Sequence, residues 1–162
     1  MINLIKIPKE DEYILHNLMQ FYIYEFSQCI PSIKLEENGS FAPFQLEKYW
    51  NDPNFHPFFI KSEEEFVGFA LVECDFNEGP HSINEFFIMS KFKGRGFGKE
   101  AATKIFRMFP GKWMITQIEK NYPAQAFWRS LIYRITNGNM AERYDEHRRS
   151  IQEFHTDFLV DN

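Results

Sequence analysis

The sequence predicts a mixed α/β fold of the α+β type, in which helices flank a mostly antiparallel, twisted sheet of about six or seven strands. Three consecutive apolar segments, at residues 57–62, 66–75 and 81–90, are separated by short segments that contain the turn sequences "EEE" and "EGP", which is typical of an antiparallel meander. Helical patterns precede and follow this meander instead of separating its strands. The resulting order, β-α-(α)-β-β-β-α-β-α-β-β, is unlike the repeating βαβ order of a parallel sheet.

Length and composition bound the remaining possibilities. The 162 residues are expected to form one domain, 1–162, and 44% apolar with 25% charged residues is typical of a soluble globular protein. No apolar run reaches about 18 residues, and the N-terminus lacks the apolar stretch of a signal peptide, so no membrane segment is expected. Cys29 and Cys74 stand outside any CxxC pattern, and the five histidines show no ligand spacing. We therefore expect a cytoplasmic protein without a metal site, with its histidines on the surface or in loops.

The first half of the chain is expected to form a strand, a long helix and a loop-rich segment. The pattern "NLIKI" at 3–7 favours a strand, and Asp11 is a candidate N-cap for the helix that follows. The apolar stripe of that helix consists of Ile14, Leu15, Leu18, Met19 and Tyr22. Residues 31–57 contain four prolines and Gly39, so they favour loops, with a short helix near "FQLEKYW".

The second half predicts two further helices and three further strands. Pro110-Gly111 ends the first helix, a strand follows at 112–118, and Asn121 can cap the second helix. The last strands are expected near 133–137 and 150–158, with the charged run at 142–149 as a solvated turn. The residues expected on the buried faces of the two helices are Phe97, Ala101, Ala102, Ile105, Phe106, Phe109, Ala124, Phe127, Trp128, Leu131 and Ile132.

The segment "KFKGRGFGKEAATKIF", residues 91–106, carries the clearest functional signal. Three glycines lie between a predicted strand and a helix, and this arrangement often cradles a phosphate at the start of the helix. Residues 91–107 hold six basic side chains and one acidic, a local charge of +5 in a chain of net charge −5. The overall acidity argues against a binder of duplex nucleic acid, so the local charge favours a small polyanion.

Three phosphate-binding motifs compete for these glycines. A P-loop is excluded because only three residues separate Gly94 from Gly98-Lys99 and Glu100 follows. The dinucleotide fingerprint matches 96–101, with Glu119 as a candidate ribose ligand, but it normally opens a series of βαβ units. A nucleotide-dependent oxidoreductase therefore stays an alternative. The pattern R/Q-x-x-G-x-G/A matches 93–98, with Lys93 in place of Arg or Gln.

Together with the strand "EFFI" before the loop and "WMITQI" and "NYPAQAFW" after it, this last pattern resembles the GNAT superfamily of N-acetyltransferases over most of the chain. The resemblance implies a GNAT-like sheet whose fourth and fifth strands splay apart. It also implies acetyl-CoA as the co-substrate, with its pantetheine arm added beside the fourth strand like an extra strand.

The resemblance assigns the cofactor contacts residue by residue. Backbone amides of 94–99 would hold the pyrophosphate, and Lys93, Arg95 and Lys99 would add positive charge. Asn121 would bind the pantetheine arm, although a plain N-cap is almost as well supported. The full set of expected cofactor-binding residues is Phe87, Ile88, Met89, Lys93, Gly94, Arg95, Gly96, Phe97, Gly98, Lys99, Asn121 and Phe127.

Acetyl transfer to an amine needs a base, because an alkyl amine of pKa about 10.4 is only about one part in 10³ neutral at pH 7. Glu85 is the candidate catalytic residue. Strand alternation places it on one face with Ile83, Phe87 and Met89, and a carboxylate on an apolar face should have a raised pKa. The alternative is a strand-edge glutamate paired with a lysine.

Two residues of the aromatic segment 20–26 are candidates for the acceptor site. Glu25 could orient a cationic amine and Tyr22 could line the pocket, with a solvated helix face and core packing as the respective alternatives. The acceptor would be the primary amine of a small molecule or peptide. We expect neither nucleic acid nor membrane as a partner, and a homodimer is open.

Trp128 departs from the family pattern. Many relatives carry a tyrosine there that protonates the departing thiolate, and an indole N–H is not a useful acid. Tyr133 lies five residues further on, about 140° away around the helix. The general acid is therefore open, Trp128 is expected to pack in the core or against the cofactor, and a non-catalytic acyl-CoA-binding module is the second functional hypothesis.

Overall fold

The computed structural model describes residues 1–157, which form seven strands and four helices with two short 3-10 turns. The strands are β1 Asn3–Lys6, β2 Phe55–Ser62, β3 Glu65–Glu73, β4 Ser82–Ile88, β5 Lys112–Gln117, β6 Ala141–Tyr144 and β7 Ser150–His155. The helices are α1 Glu12–Phe26, α2 Lys48–Asn51, α3 Phe97–Met108 and α4 Tyr122–Ile135.

The strands form two antiparallel sheets that meet at one point. The order is β1-β2-β3-β4 in the first sheet and β5-β7-β6 in the second. A parallel bridge joins His81 to Trp113, where His81 N–H donates to Lys112 O at 2.8 Å and Met114 N–H donates to His81 O at 2.9 Å. Within residues 1–157, β4 and β5 pair nowhere else. The predicted fold class, with its meander and its splayed fourth and fifth strands, is confirmed.

His81 fixes the point from which the two sheets diverge. Its ring is 2% exposed, Nδ1 accepts from the Asp75 N–H at 3.0 Å, and Nε2 lies 3.1 Å from Pro110 O. Because Nδ1 accepts a hydrogen bond, Nε2 carries the proton and donates to Pro110. The expectation of a surface or loop position is therefore wrong for His81. A histidine that bridges two chain segments by hydrogen bonds has no spacing signal in the sequence.

Two apolar cores cover the two faces of the first sheet. The core under α3 and α4 contains Phe58, Val72, Ile105, Phe106, Trp113, Trp128 and Leu131 among its members. The core under α1 and α2 contains Leu15, Met19, Tyr22, Tyr49, Phe59, Phe69, Leu71 and Phe87 among its members. The predicted apolar stripes of α1, α3 and α4 supply much of both cores, because buried apolar area drives helices onto a sheet.

A β-bulge in β4 overturns one detail of the predicted alternation. Leu71 pairs with Glu85, whereas the next residue of β3, Val72, pairs with Ile83, so β4 has one extra residue here. Ile83 therefore packs in the core under α3 and α4, while Phe87 packs in the core under α1. The prediction that Ile83 shares a face with Glu85 and Phe87 is wrong, because an extra residue inverts the alternation on one side of it.

The C-terminal boundaries also differ from expectation. The strand predicted near 133–137 is wrong, because α4 continues to Ile135 and a turn with Gly138 at φ +82° follows it. Part of the charged run at 142–149 lies in β6, where Glu142 pairs with Arg129 and Arg143 pairs with Glu153. Residues 145–149 form a mostly exposed turn, in which Asp145 Oδ1 accepts from the N–H groups of His147 and Arg149, so the prediction of a solvated turn is wrong only for 142–144. The predicted end of the last strand, residue 158, lies outside the described residues.

None of the helices in residues 1–157 has the length and apolar content that a membrane crossing needs. In the same range, no group of three or more His, Cys, Asp or Glu side chains is placed to hold a metal ion.

Candidate functional site

The glycine-rich loop precedes α3 and leaves a row of backbone donors free. Gly94 and Gly96 have φ of +82° and +81°, a left-handed conformation that side chains other than glycine rarely adopt. The first helical hydrogen bond runs from Glu100 N–H to Gly96 O at 3.0 Å. The N–H groups of 94–99 donate to no acceptor within residues 1–157. Six adjacent unengaged donors at the positive end of a helix form a site suited to an anion.

The basic side chains around this loop differ in their pairing. Lys93 Nζ lies 3.0 Å from Glu25 Oε1, which also accepts from Ser90 Oγ at 3.2 Å. Arg95 and Lys99 are exposed and form no ion pair within the described range, although Arg95 lies 5.5 Å from the centre of the Phe92 ring. Glu25 therefore links α1 to the glycine-rich loop in this structure, and its carboxylate contacts Lys93 rather than the surroundings of Glu85.

The edge of β4 that faces β5 is free of a neighbouring strand beyond His81. On the other edge, Met89 N–H donates to Val67 O of β3 at 2.8 Å. Because successive residues of an extended chain face opposite edges, Ile88 directs its own N–H and C=O toward the open edge. Gly68 of β3 allows β3 to lie very close to β4, since a Cβ on Gly68 would lie 1.7 Å from the carbonyl oxygen of Phe87.

The first turn of α3 meets the second turn of α4 beside this open edge. A Cβ on Gly98 would lie 3.3 Å from Phe127 Cζ and 3.5 Å from Ile88 Cγ1. Phe127 is partly buried, and its ring stacks on Phe86 with a centroid distance of 6.1 Å. Asn121 Oδ1 accepts from Ala124 N–H at 3.3 Å, so the expected N-cap is present. Its side-chain amide group is left without a partner in residues 1–157.

Glu85 lies on the other side of the bulge from Ile83, facing α1. Its carboxylate is partly buried, and Oε2 accepts a hydrogen bond from the hydroxyl of Tyr22. Burial raises the pKa of Glu85, and the hydrogen bond from Tyr22 and the charge of Lys48 oppose that rise. This is the environment predicted for a general base. No second hydrogen bond to this carboxylate occurs within residues 1–157, so Oε1 is available to a ligand.

Two buried tyrosines surround Glu85. Burial raises the pKa of Tyr22 well above its usual value, and the neighbouring Glu85 charge adds to this rise. Burial raises the pKa of Tyr49 to about 12, and its hydroxyl accepts from Asn84 Nδ2 at 3.2 Å. Both phenols therefore stay protonated at neutral pH, and Tyr22 acts as a hydrogen-bond donor to the carboxylate.

Glu85 lines two cavities, one mostly polar and one mostly apolar. The first, which we name the polar cavity, has a volume of about 390 Å³ and is lined by Gln45, Lys48, Tyr49, Glu73 and Asn84, among others. The second, which we name the apolar cavity, has a volume of about 460 Å³ and is lined by Ile23, Phe26, Ile30, Ile33, Phe41 and Phe44, together with Ser32, Lys34 and Ala42. Glu85 and Phe44 line both cavities.

The structure brings the predicted residues together in two groups. Ile88, residues 93–99, Asn121 and Phe127 surround the open edge of β4 and the start of α3, whereas Tyr22 and Glu85 form a separate contact below α1. Met89 directs its N–H toward β3, and Phe87 packs in the core under α1, so the structure does not bring these two predicted residues to the open edge. Sequence reasoning missed Tyr49, Asn84 and the wall of the apolar cavity. The sequence contains only one indication of Tyr49, its position in the short helix predicted near "FQLEKYW". Trp128 is 6% exposed, with its ring 5.1 Å from that of Phe86, so its expected core position is confirmed.

Comparisons with known proteins agree with this arrangement. An acetyltransferase from Thermus thermophilus superposes with a TM-score of 0.71 at 14% identity, covering 96% of this chain and 97% of that one. A spermidine N-acetyltransferase chimera from Vibrio cholerae and hSSAT gives 0.63 at 12% identity, covering 99% of both chains. A ribosomal-protein alanine N-acetyltransferase from Escherichia coli gives 0.60 at 11% identity, covering 96% and 94%.

These identities are low, so the structural matches establish the fold alone. The comparison with curated protein sequences gives no significant match. The family evidence comes from the sequence model described as "Acetyltransferase (GNAT) family", which matches residues 16–131. That span includes the splayed strands, the glycine-rich loop and most of α4. The chain therefore belongs to the GNAT acetyltransferase family.

Proposed function

We propose that the protein is an acetyl-CoA-dependent N-acetyltransferase that moves the acetyl group directly to a primary amine of a small molecule or peptide. Family membership supports acetyl transfer. The observation that carries the choice of an amine is the partly buried carboxylate of Glu85, held by Tyr22 close to the open edge of β4. A carboxylate in that place attracts a cationic amine and can remove its proton.

The free donors around the loop support acetyl-CoA as the co-substrate. The amides of 94–99 fit a pyrophosphate, and Arg95 and Lys99, which form no ion pair with residues 1–157, add positive charge within the same loop. Ile88 offers its backbone groups and Asn121 its side-chain amide to a pantetheine arm. Phe127 closes one wall next to Gly98. When bound, acetyl-CoA supplies the thioester whose C–S bond breaks as the N–C bond to the acceptor forms.

Glu85 is proposed to take the proton that the ammonium group must lose. The raised pKa of Glu85 lies closer to neutral pH than that of an ordinary glutamate. A carboxylate with a higher pKa is a stronger base, as long as it is still ionised. The hydroxyl of Tyr22 fixes Oε2, so Oε1 receives the proton. Trp128 supplies no acid because it is packed in the core. A thiolate of pKa about 8.5 can instead be protonated by water.

The experiment that tests this proposal measures free thiol released from acetyl-CoA with a broad panel of amines. We expect amine-dependent release together with acetylated product. A thermal-shift titration with acetyl-CoA accompanies it, because a ligand that binds only the folded state must stabilise that state.

The core position of Trp128 favours one second candidate, a non-catalytic acyl-CoA-binding module. Stabilisation by acetyl-CoA without thiol release from any amine would support that module and contradict the enzyme. Absence of stabilisation at concentrations far above micromolar would contradict both.

A further inference from the structure

We infer that the acceptor is a monoamine with an apolar aliphatic or aromatic arm, which lies in the apolar cavity while its ammonium group pairs with Glu85. This inference rests on the proposed function and names the substrate class of the same site. Neither the family match nor the structural neighbours specify such an acceptor for this chain.

The lining of the apolar cavity sets the chemistry of the arm. Two residues come from α1, Ile23 and Phe26, and four come from the following loop, namely Ile30, Ile33, Phe41 and Phe44. Phe44 remains 38% exposed, which leaves an aromatic surface open at the mouth. Six aliphatic and aromatic side chains around about 460 Å³ favour an apolar occupant of several carbon atoms.

The loop that forms one wall is already ordered. The side chain of Gln20 on α1 makes two bonds to Phe41, accepting from its N–H at 2.8 Å and donating to its carbonyl at 3.0 Å. Ile33 N–H donates to Ile30 O at 3.1 Å. Between these points, Glu36 N–H donates to Ser40 O at 2.8 Å. A preformed wall reduces the entropy that a ligand loses on binding, so the cavity suits a specific occupant.

Charge distinguishes a monoamine from a polyamine. Among the described residues that line the apolar cavity, Glu85 is the one carboxylate, and Lys34 is the other charged side chain. A second ammonium group in this cavity would meet Lys34 and apolar walls. The polar cavity has two carboxylates, Glu73 and Glu85, against one lysine, Lys48, so its excess of negative charge makes it the competing acceptor site for a diamine.

Charge also favours an amine over a long acyl chain as the occupant. Glu85 lines both cavities, and its Oε1 accepts no hydrogen bond from residues 1–157. A neutral acyl chain would leave this partly buried carboxylate without a partner, which is unfavourable, whereas an ammonium group satisfies it.

The test is calorimetric binding of amines to the protein saturated with coenzyme A. The probes are n-alkylamines from butyl to octyl, 3-phenylpropylamine and spermidine. We expect the affinity to rise about four-fold for each added methylene until the cavity is filled, which corresponds to the free energy of burying one CH₂ group. We expect 3-phenylpropylamine to bind more tightly than spermidine.

Two variants locate the site. Ile33→Asp places a carboxylate in the partly exposed wall and is expected to weaken binding of 3-phenylpropylamine by about ten-fold, with binding of coenzyme A unchanged. Glu73→Gln, which removes a carboxylate from the polar cavity, is expected to alter binding of 3-phenylpropylamine less than about two-fold. The chain-length series on the unaltered protein tests the inference even if Ile33→Asp does not fold.

Two results would overturn the inference. These are tighter binding of spermidine that Glu73→Gln abolishes, and an alkylamine affinity that does not depend on chain length. Because the readout is binding, its failure is separate from failure of the proposed function. Apolar amines that bind but release no thiol would contradict acetyl transfer alone.

Discussion

The two ends of β4 use different means to prepare for one reaction. At its C-terminal end, the loop at 93–99 offers backbone N–H groups and exposed cations, held by glycines and a helix start. At the bulge, Glu85 is surrounded by side chains that α1, α2 and β4 itself bring together, with Tyr22 as its donor. The first site depends on main-chain conformation and the second on burial. Because the two sites depend on different features, we expect some mutations to change only the binding of acetyl-CoA and others to change only the activation of the amine.

The largest expected effect comes from Glu85→Gln. Gln keeps the shape of the side chain but cannot accept the ammonium proton, so kcat/KM should fall by about 100-fold or more. The rate at which free thiol is released from acetyl-CoA measures this change. A calorimetric titration should give an unchanged affinity for acetyl-CoA.

Glu73→Gln is the matched control for this comparison, because it changes a carboxylate in the same polar cavity that has no hydrogen bond from Tyr22. Equal losses in both variants, or an unchanged rate in Glu85→Gln, would remove Glu85 from the role of base.

The next largest effect concerns the glycine-rich loop and its affinity for acetyl-CoA. Gly96→Ala places a Cβ where φ is +81°, which costs roughly 1–2 kcal/mol although the space around it is open. If the loop relaxes to relieve this strain, its amides move and the affinity for acetyl-CoA should fall about ten-fold.

Gly39→Ala is the control, because Gly39 has φ of +82° and equally open surroundings far from the loop in sequence. Chemical denaturation should show similar losses of unfolding free energy in both variants, and calorimetry should show weaker acetyl-CoA binding in Gly96→Ala only. Equal affinities would mean that this loop does not bind the cofactor.

A smaller effect concerns pH and stability. Because folding raises the pKa of Glu85, the native state holds this proton more tightly than the unfolded state. The contribution of Glu85 to the free energy of unfolding therefore decreases as pH rises from its ordinary pKa of 4.5 to its folded value, by at most about 1.4 kcal/mol per pH unit, and is constant above that.

Urea unfolding of the unaltered protein and Glu85→Gln across this pH range measures the effect. The protein with Glu85 should lose stability relative to the variant as pH rises. A difference that is flat, or that changes in the opposite direction, would mean that burial does not control this carboxylate.

The smallest effect concerns the ion pair between α1 and the glycine-rich loop. Glu25→Gln removes the partner of Lys93, and exposed pairs of this kind contribute about 0.2–1 kcal/mol. Freed from Glu25, Lys93 should increase acetyl-CoA affinity about two-fold at low salt, and the gain should vanish near 1 M salt.

Glu65→Gln serves as the control, since Glu65 pairs with Lys91 outside the glycine motif. An equal gain in both variants would show a general charge effect in place of a specific role for Lys93.

The two sites also differ in how far the sequence predicted them. The loop, α3 and the Asn121 cap could be predicted because their residues are neighbours in the chain and their conformation depends on local rules. The raised pKa expected for Glu85 agrees with its partial burial, whereas its role as a base stays a prediction, and the strand alternation used to choose it fails at Ile83. Phe87 lies beyond the bulge and keeps the expected face.

Contacts between distant residues could not be predicted. Tyr22 and Glu85 are 63 positions apart, and Asn84 and Tyr49 are 35 positions apart. The wall of the apolar cavity comes from a loop without hydrophobic periodicity, whose position depends on the Gln20–Phe41 bonds. Local patterns carry no information about such pairings, so the acceptor side needed the structure.

A crystal structure with bound coenzyme A tests most directly the claim that both sites meet on β4. We predict that the pyrophosphate accepts hydrogen bonds from the N–H groups of 94–99, that the pantetheine arm pairs with Ile88, and that the sulfur lies next to Glu85, within reach of Oε1 directly or through one water. Coenzyme A bound away from the glycine-rich loop, or with its sulfur directed to solvent and separated from Glu85, would contradict the account.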